Sequence, residues 1–222
     1  MKVFFAIFLL VIGVCVACAS RSTSSQIAQN NATVAVPSPT QTANAAVPDQ
    51  APCSLVRDQA PVLNGLKLGM TAAQVLAFFP GSSEDAEVKA SVSAIRPFGA
   101  SSFMIRPDKY ESKDKFAGIN LISFRLLDGR VSNLRVAYNG PEYSHVDKFV
   151  AKFVEGTNLP ADAWEPYVGM DDTLKILKCT GFEIQIFIGG PGGNLNYVEM
   201  RDLVADKELK DRKDKARQKA TP

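Results

Sequence analysis

The apolar run over residues 3–17 decides the compartment in which this chain folds, and with it the chemistry open to its cysteines. Lys2 supplies a positive charge ahead of the run, and small residues at 16–20 close it, which is the layout of an export signal. We therefore predict that residues 1–18 are a signal peptide. The rest of the chain is then expected to fold outside the cytoplasm, in an oxidising space.

The end of this signal is compatible with three kinds of processing. Cys-Val-Ala-Cys over residues 15–18 resembles a bacterial lipobox in which Cys18 carries the lipid, although such motifs usually have leucine at the place of Cys15. Ala-Cys-Ala over residues 17–19 is also a site for ordinary signal peptidase, which would release a soluble protein. Left uncut, the segment is at the short limit for a membrane anchor. We favour a lipid-anchored protein that faces the periplasm, with soluble secretion as the alternative.

The cysteines that remain after export form one pair. Cys15 leaves with the signal, and Cys18 is either lipidated or lost, so Cys53 and Cys179 are left. In an oxidising compartment we predict a disulfide between them, and two buried free thiols are the alternative. Two cysteines and one histidine do not supply four ligands at usable spacing, so no metal site is expected.

Composition divides the rest of the chain into three parts. Residues 19–52 hold two charged residues and no aromatic residue, which predicts a disordered linker. Residues 53–204 carry 16 Lys/Arg and 18 Asp/Glu, a net charge of −2, and are predicted to form a single domain. Residues 205–222 carry seven Lys/Arg and four Asp/Glu and are predicted to be a charged helical or frayed tail. Because the domain is not basic, nucleic acid is not an expected partner.

Helical patterns begin at three capped positions in the domain. Thr71 starts a capping box, and the helix that it opens is expected to end at residues 80–81, which are Pro-Gly. Ser83 is expected to cap a second helix over residues 84–95. A third helix is expected to open at Ser144, where apolar residues recur at helical spacing.

Alternating apolar patterns predict strands between and after these helices. The Asp128-Gly129 pair separates two such segments and is a strong signal for a tight hairpin. The predicted strands are residues 101–106, 118–127, 131–138, 173–179, 182–188 and 195–203. Together with the helices they predict an α+β fold, in which helices pack on one face of an antiparallel β-sheet.

The opening of the domain resembles a known family. Leu-Gly-Met-Thr over residues 68–71, followed by Gln74-Val75 and Pro80-Gly81, is similar to the helical start of the small lipoprotein subunit of the outer-membrane β-barrel assembly machinery. The same opening occurs in folds like the β-lactamase inhibitor protein, where a second helix and an antiparallel sheet follow. This chain departs in a longer insertion before its hairpin and in a further helix and strands after it. The resemblance implies a fold and an envelope location, and it transfers no binding residue.

Candidate functional residues are few. His145, the single histidine, stands at a predicted helix start. The sequence has no G-x-S-x-G motif whose serine this histidine would activate, so we expect it to be an exposed structural residue. Gly190 and Gly192 lie in a glycine-rich loop that lacks the helix and the lysine of a phosphate cradle. These two glycines, with Trp164 and Tyr167, are candidate partner contacts, and core packing is the alternative for the two aromatic residues.

These observations predict an exported bacterial cell-envelope protein with a non-catalytic binding or assembly role. A protein or cell-wall polymer is the expected partner, the membrane is reached through the N-terminal lipid, and no cofactor is expected. A secreted inhibitor-like or small-ligand-binding module is the alternative, and a hydrolase is the third hypothesis.

Overall fold

The computed structural model describes residues 53–94, 96–170, 172–189 and 195–220. They belong to one compact unit, Val47–Pro222. Cys18, Gly190 and Gly192 lie outside the described residues, so the predictions made for them stay predictions. Among the residues described, no helix is both long and apolar enough to cross a bilayer.

A seven-stranded antiparallel sheet is the centre of this unit, and four helices accompany it, which confirms the predicted α+β class. The strands are β1 (Ala100–Ile105), β2 (Ile119–Leu127), β3 (Arg130–Asn139), β4 (Glu165–Pro166), β5 (Leu174–Lys178), β6 (Phe182–Phe187) and β7 (Leu195–Asp202). The helices are α1 (Ala72–Leu76), α2 (Ala86–Ser93), α3 (Val146–Val154) and α4 (Leu203–Ala220). In space the strand order is β1-β2-β3-β7-β6-β5-β4, so the C-terminal strand β7 lies at the centre of the sheet.

One face of the sheet forms the hydrophobic core. Because strand side chains alternate between faces, every second residue of the central strands is apolar and buried. These residues include Phe103, Ile122, Phe124, Leu134, Val136, Ile184, Ile186, Val198 and Met200. Each fully buried aliphatic side chain of this kind stabilises the fold by roughly 1.5–3 kcal/mol.

The hairpin between β2 and β3 forms at the predicted position. Asp128 and Gly129 have φ angles of 49° and 75°, the left-handed region that a two-residue turn of this type requires at both central positions. Aspartate and glycine tolerate this region better than most residues do, which explains the sequence at the turn.

Helix α1 begins with the capping box that its sequence predicts. Thr71 Oγ1 accepts a hydrogen bond from the backbone N–H of Gln74 at 3.2 Å, and Gln74 Oε1 accepts one from the N–H of Thr71 at 2.8 Å. The helix is shorter than predicted, because it ends at Leu76 and the chain then turns towards Gly81. This turn places Phe79 in the core, with its ring centroid 4.6 Å from that of Phe116.

Helices α2 and α3 begin later than the sequence predicts. Asp85, and not Ser83, caps α2, because its carboxylate accepts hydrogen bonds from the first free N–H groups. His145, and not Ser144, caps α3, and its Nδ1 accepts from the backbone N–H of Asp147 at 3.2 Å. The apolar side of α3 then packs against the core face, where Phe149 meets Tyr138 edge to face.

A disulfide joins Cys53 to Cys179, as predicted, and both residues are buried. The two residues also form a parallel β-bridge, and the N–H of Thr180 donates to the carbonyl of Leu55 at 3.1 Å. The first described segment of the chain is therefore held beside the end of β5, next to the short strand β4.

Helix α4 continues directly from β7 and carries most of the charged tail. Asp202 Oδ1 caps it by accepting hydrogen bonds from two of its first N–H groups, each at 3.0 Å. Further along, Arg212 pairs with the hairpin residue Asp128 at 2.6 Å and donates to the carbonyl of Phe98 at 2.8 Å. The helix thus passes along the ends of the strands, from β7 to the β2–β3 turn.

Candidate functional site

The face of the sheet opposite the core carries polar, aromatic and aliphatic side chains, and we call it the open face. The register of six strands aligns these side chains in three rows that run across the sheet. The first row is Lys178, Glu183, Arg201, Asn133, Arg125 and Ser102. The second row is Ile176, Gln185, Glu199, Arg135, Ser123 and Met104. The third row is Leu174, Phe187, Tyr197, Ala137 and Leu121.

A hydrogen-bonded cluster around Glu199 stands in the middle of the open face. Glu199 is 4% exposed, so its carboxylate needs partners. Asn133 Nδ2 donates to one of its oxygens at 2.5 Å, and the guanidinium of Arg135 binds the other, with Nε at 2.7 Å. Arg135 in turn stacks over the ring of Tyr197 at 4.5 Å. The carboxylate is therefore paired on both oxygens, and Arg135 is fixed in one orientation.

A second ion-pair cluster adjoins it. Arg201 pairs with Glu183 at 3.2 Å and with Asp206 of α4 at 2.7 Å. Burial alone lowers the pKa of Arg201, but the hydrogen bond and charge of Asp206 and the charge of Glu183 outweigh it, so the pKa of the guanidinium is raised. Gln185 also donates to Glu183, at 2.9 Å. The charged side chains at the centre of the open face are thus paired with one another.

A cavity of about 370 Å³ lies between α2 and strands β1–β3 on this face, and we call it the α2 groove. Arg96 and Arg125 line it, and within the described residues neither guanidinium group has a hydrogen-bond or ion-pair partner. Serine hydroxyls from α2, β1 and β2 and the carboxylate of Glu87 complete the lining. Among the described residues, the groove therefore holds two guanidinium groups without an ion-pair partner and one carboxylate.

A second cavity, of about 500 Å³, lies at the other end of the open face, beside β4 and β5. Tyr167 and Val168 form part of its wall and are 49% and 92% exposed. Met170 follows them in the same turn and is also exposed. Tyr167 thus lies at the surface, where a partner can reach it, and its role as a partner contact stays a prediction.

Trp164 has the opposite placement. It is 8% exposed, its indole N–H donates to the carbonyl of Pro160 at 3.0 Å, and its ring meets Phe153 edge to face. Its ring therefore fills the core beneath α3, as in the core-packing alternative. The indole N–H, which is the only polar group of this side chain, is hydrogen-bonded within the domain, so Trp164 is a core residue.

His145 is engaged by its neighbours on both ring nitrogens. Nδ1 accepts from the backbone N–H of Asp147 and also lies 3.0 Å from Asp147 Oδ2, and Nε2 lies 3.0 Å from Asp172 Oδ1. This arrangement ties the start of α3 to the segment before β5. Among the described residues, no group of three or more His, Cys, Asp or Glu side chains is arranged to hold a metal ion.

The sequence analysis did not identify the open face, although a signal for it was present. Polar residues alternate with apolar ones at 133–135 and at 199–201, and Arg135 in the first segment and Glu199 in the second carry opposite charges. Pairing these strands with each other brings Arg135 to Glu199. That step needs the strand order, which a local pattern does not supply.

Comparison with known proteins gives little further information. No family model and no curated protein matches this chain. Among solved structures, it is similar to a cysteine-rich secretory protein from Staphylococcus aureus, at 8% sequence identity and a TM-score of 0.35. The match covers 70% of this chain and 50% of that one, so this chain spans about half the length of that structure. At that score the likeness carries no argument about fold or function.

Proposed function

We propose that this chain is an exported cell-envelope protein that binds a partner, without catalysis, through the open face of its sheet. The observation that carries the proposal is the pair of arginines in the α2 groove, Arg96 and Arg125, whose guanidinium groups form no ion pair within the described residues. Polar side chains that line a concave surface and have no hydrogen-bond or ion-pair partner within the protein are typical of a recognition site.

The rigidity of the open face supports this proposal. The cluster around Glu199 and Arg135 fixes side chains in the middle of the face before any partner arrives. A surface that is ordered in advance loses less conformational entropy on binding than a flexible one does. The exposed Tyr167 and Val168 at the far end supply apolar area of the kind that anchors protein interfaces.

Photocrosslinking in intact producing cells tests the binding role. A photoreactive amino acid replaces Met104, which is exposed at the end of the second row, or Tyr167 at the opposite end of the face. The control position is Lys152 on α3, which is also exposed but belongs to the helix on the core side. We expect adducts from the open-face positions and not from Lys152. Adducts of equal yield at all three positions, or none at the two open-face positions, would contradict the proposal.

The envelope location and the lipid anchor belong to the same proposal. The disulfide between Cys53 and Cys179 supports folding in an oxidising compartment, where such bonds persist. Mass spectrometry of the mature N-terminus tests the anchor. Acylated Cys18 is the expected result, and a free N-terminus at Ser20 would replace the anchor with soluble secretion. Recovery of the chain from the cytosol, beginning at Met1 and with reduced thiols, would contradict export.

A further inference from the structure

We propose that the α2 groove is a binding site for a phosphate group that carries two negative charges, held between the guanidinium groups of Arg96 and Arg125. This inference rests on the proposed binding role of the open face and names the chemistry that the face recognises. The phosphate belongs either to a small soluble molecule or to a lipid headgroup, and the experiment below separates these two sources.

The distribution of arginine partners singles out this groove. The described part of the chain contains nine arginines, and seven of them bind a carboxylate or a backbone carbonyl within it. The seven are Arg57, Arg106, Arg130, Arg135, Arg201, Arg212 and Arg217. The remaining two, Arg96 and Arg125, line the same cavity. The two guanidinium groups that are unpaired within the described chain therefore line one cavity, where an external acceptor can reach them.

Charge complementarity favours a dianion as that acceptor. Arg135 also lines the groove, but its charge is neutralised by Glu199, so it contributes a fixed wall and not a free charge. Arg96 and Arg125 present two unpaired guanidinium groups, and a phosphate monoester carries charge for both, whereas a single carboxylate carries charge for only one. Glu87 lowers the net charge of the lining by one. The planar guanidinium group presents paired N–H donors that suit phosphate oxygens.

The rest of the lining fits the same ligand. Ser91, Ser102 and Ser123 bring hydroxyl groups from α2, β1 and β2, and such groups donate readily to phosphate oxygens. Glu87 is the exception, because its carboxylate also faces the groove and repels an anion. Its presence gives the proposal a consequence of opposite sign: neutralising Glu87 should strengthen phosphate binding, whereas neutralising either arginine should weaken it.

Thermal unfolding of the full chain, as purified from producing cells, measures binding of inorganic phosphate at constant ionic strength. A ligand that binds the folded state raises the melting temperature in a saturable way. We expect this saturable rise in the wild type, an apparent Kd weakened about tenfold or more by R96Q and again by R125Q, and a tighter Kd in E87Q. The double variant R96Q/R125Q should keep only the gradual rise that any excluded salt produces.

The matched control is R106Q, which removes another exposed arginine, just beyond β1, that does not line the groove. Its phosphate response should equal that of the wild type. An equal loss in R106Q would show that general charge, and not the α2 groove, causes the response, and it would overturn the proposal. A response to acetate as large as that to phosphate, with the same dependence on Arg96 and Arg125, would overturn the phosphate assignment.

The lipid source is tested in the same thermal unfolding assay with soluble short-chain phosphatidic acid, and short-chain phosphatidylcholine is the control. A soluble lipid is used because the proposed lipid on Cys18 would bind the chain to any vesicle. Binding that requires phosphatidic acid and is lost in R96Q/R125Q, without a response to inorganic phosphate, assigns the site to a lipid headgroup. If neither probe depends on the two arginines, the inference is wrong. The binding role can still stand in that case, because the crosslinks from Met104 and Tyr167 are measured independently of phosphate.

Discussion

Reduction of the Cys53–Cys179 disulfide offers a quantitative test of how this domain is held together. The bond closes a loop with a sequence separation of 126 residues. In the chain-entropy model, a crosslink over such a loop removes about 16 cal/mol/K of entropy from the unfolded chain, which is about 5 kcal/mol at 25 °C. With a urea m-value of about 2 kcal/mol/M, the unfolding midpoint should fall by about 2.5 M when the bond is reduced.

The assay is urea unfolding of the full chain, followed by far-UV circular dichroism, with and without a phosphine reductant. Reduction breaks the bond without removing any side chain, so the packing of both buried sulfurs is retained. The m-value should rise at the same time, because an unlinked chain exposes more surface when it unfolds. The C53A/C179A variant is the control, since it cannot form the disulfide and should not respond to the reductant.

The entropic reasoning fails if the oxidised and reduced chains unfold within about 0.5 M urea of each other. It also fails if C53A/C179A responds to the reductant as strongly as the wild type does, because the effect then comes from other cysteines. A fall in the midpoint with an unchanged m-value would indicate that the bond acts mainly on the native state at the edge of β5.

Three further predictions concern single side chains. R135M should lower the free energy of unfolding by roughly 2–3 kcal/mol, measured in urea, because it leaves the buried carboxylate of Glu199 without its cation. F79A should lower it by about 3–5 kcal/mol in the same assay, since this fully buried ring leaves a cavity. The hydrogen bond from Arg212 lowers the pKa of Asp128 below its ordinary value of 3.8, so the contribution of this pair to the docking of α4 should be complete above that pH and be lost as the pH falls through the lowered pKa. Protection factors of the α4 amides, which correct for the intrinsic pH dependence of exchange, report this loss. Protection factors that stay constant down to complete protonation of Asp128 would contradict it.

The sequence predicted those parts of the fold that local rules determine. The capping box at Thr71 and the turn at Asp128-Gly129 formed as expected, because each depends on residues within a few positions of one another. The Cys53–Cys179 disulfide was predicted from the oxidising compartment and from the number of cysteines, since only two remain after export. Helix starts were displaced by one or two residues, because histidine and a later aspartate can accept the same backbone hydrogen bonds as serine.

The candidate site was not predicted, because it depends on contacts between distant parts of the chain. Asn133 and Glu199 are 66 residues apart in sequence and become neighbours only because β7 inserts between β3 and β6. Arg96 and Arg125 share a groove because α2 lies beside β1, and neither residue belongs to a motif. Trp164 could not be assigned to core or surface from a loop-like sequence, and its burial follows from the position of α3 above it.

The covalent link at Cys53 has a mechanical consequence. Any pull transmitted along the chain from residues before Cys53 reaches the sheet through the sulfur–sulfur bond at Cys179, beside the end of β5. A tension of this kind cannot peel away the segment between Cys53 and α1 one hydrogen bond at a time, because that segment lies inside the covalent loop. A load from a partner bound to the open face would then reach the N-terminal part of the chain through the sheet and the sulfur–sulfur bond, without passing through the segment between Cys53 and α1.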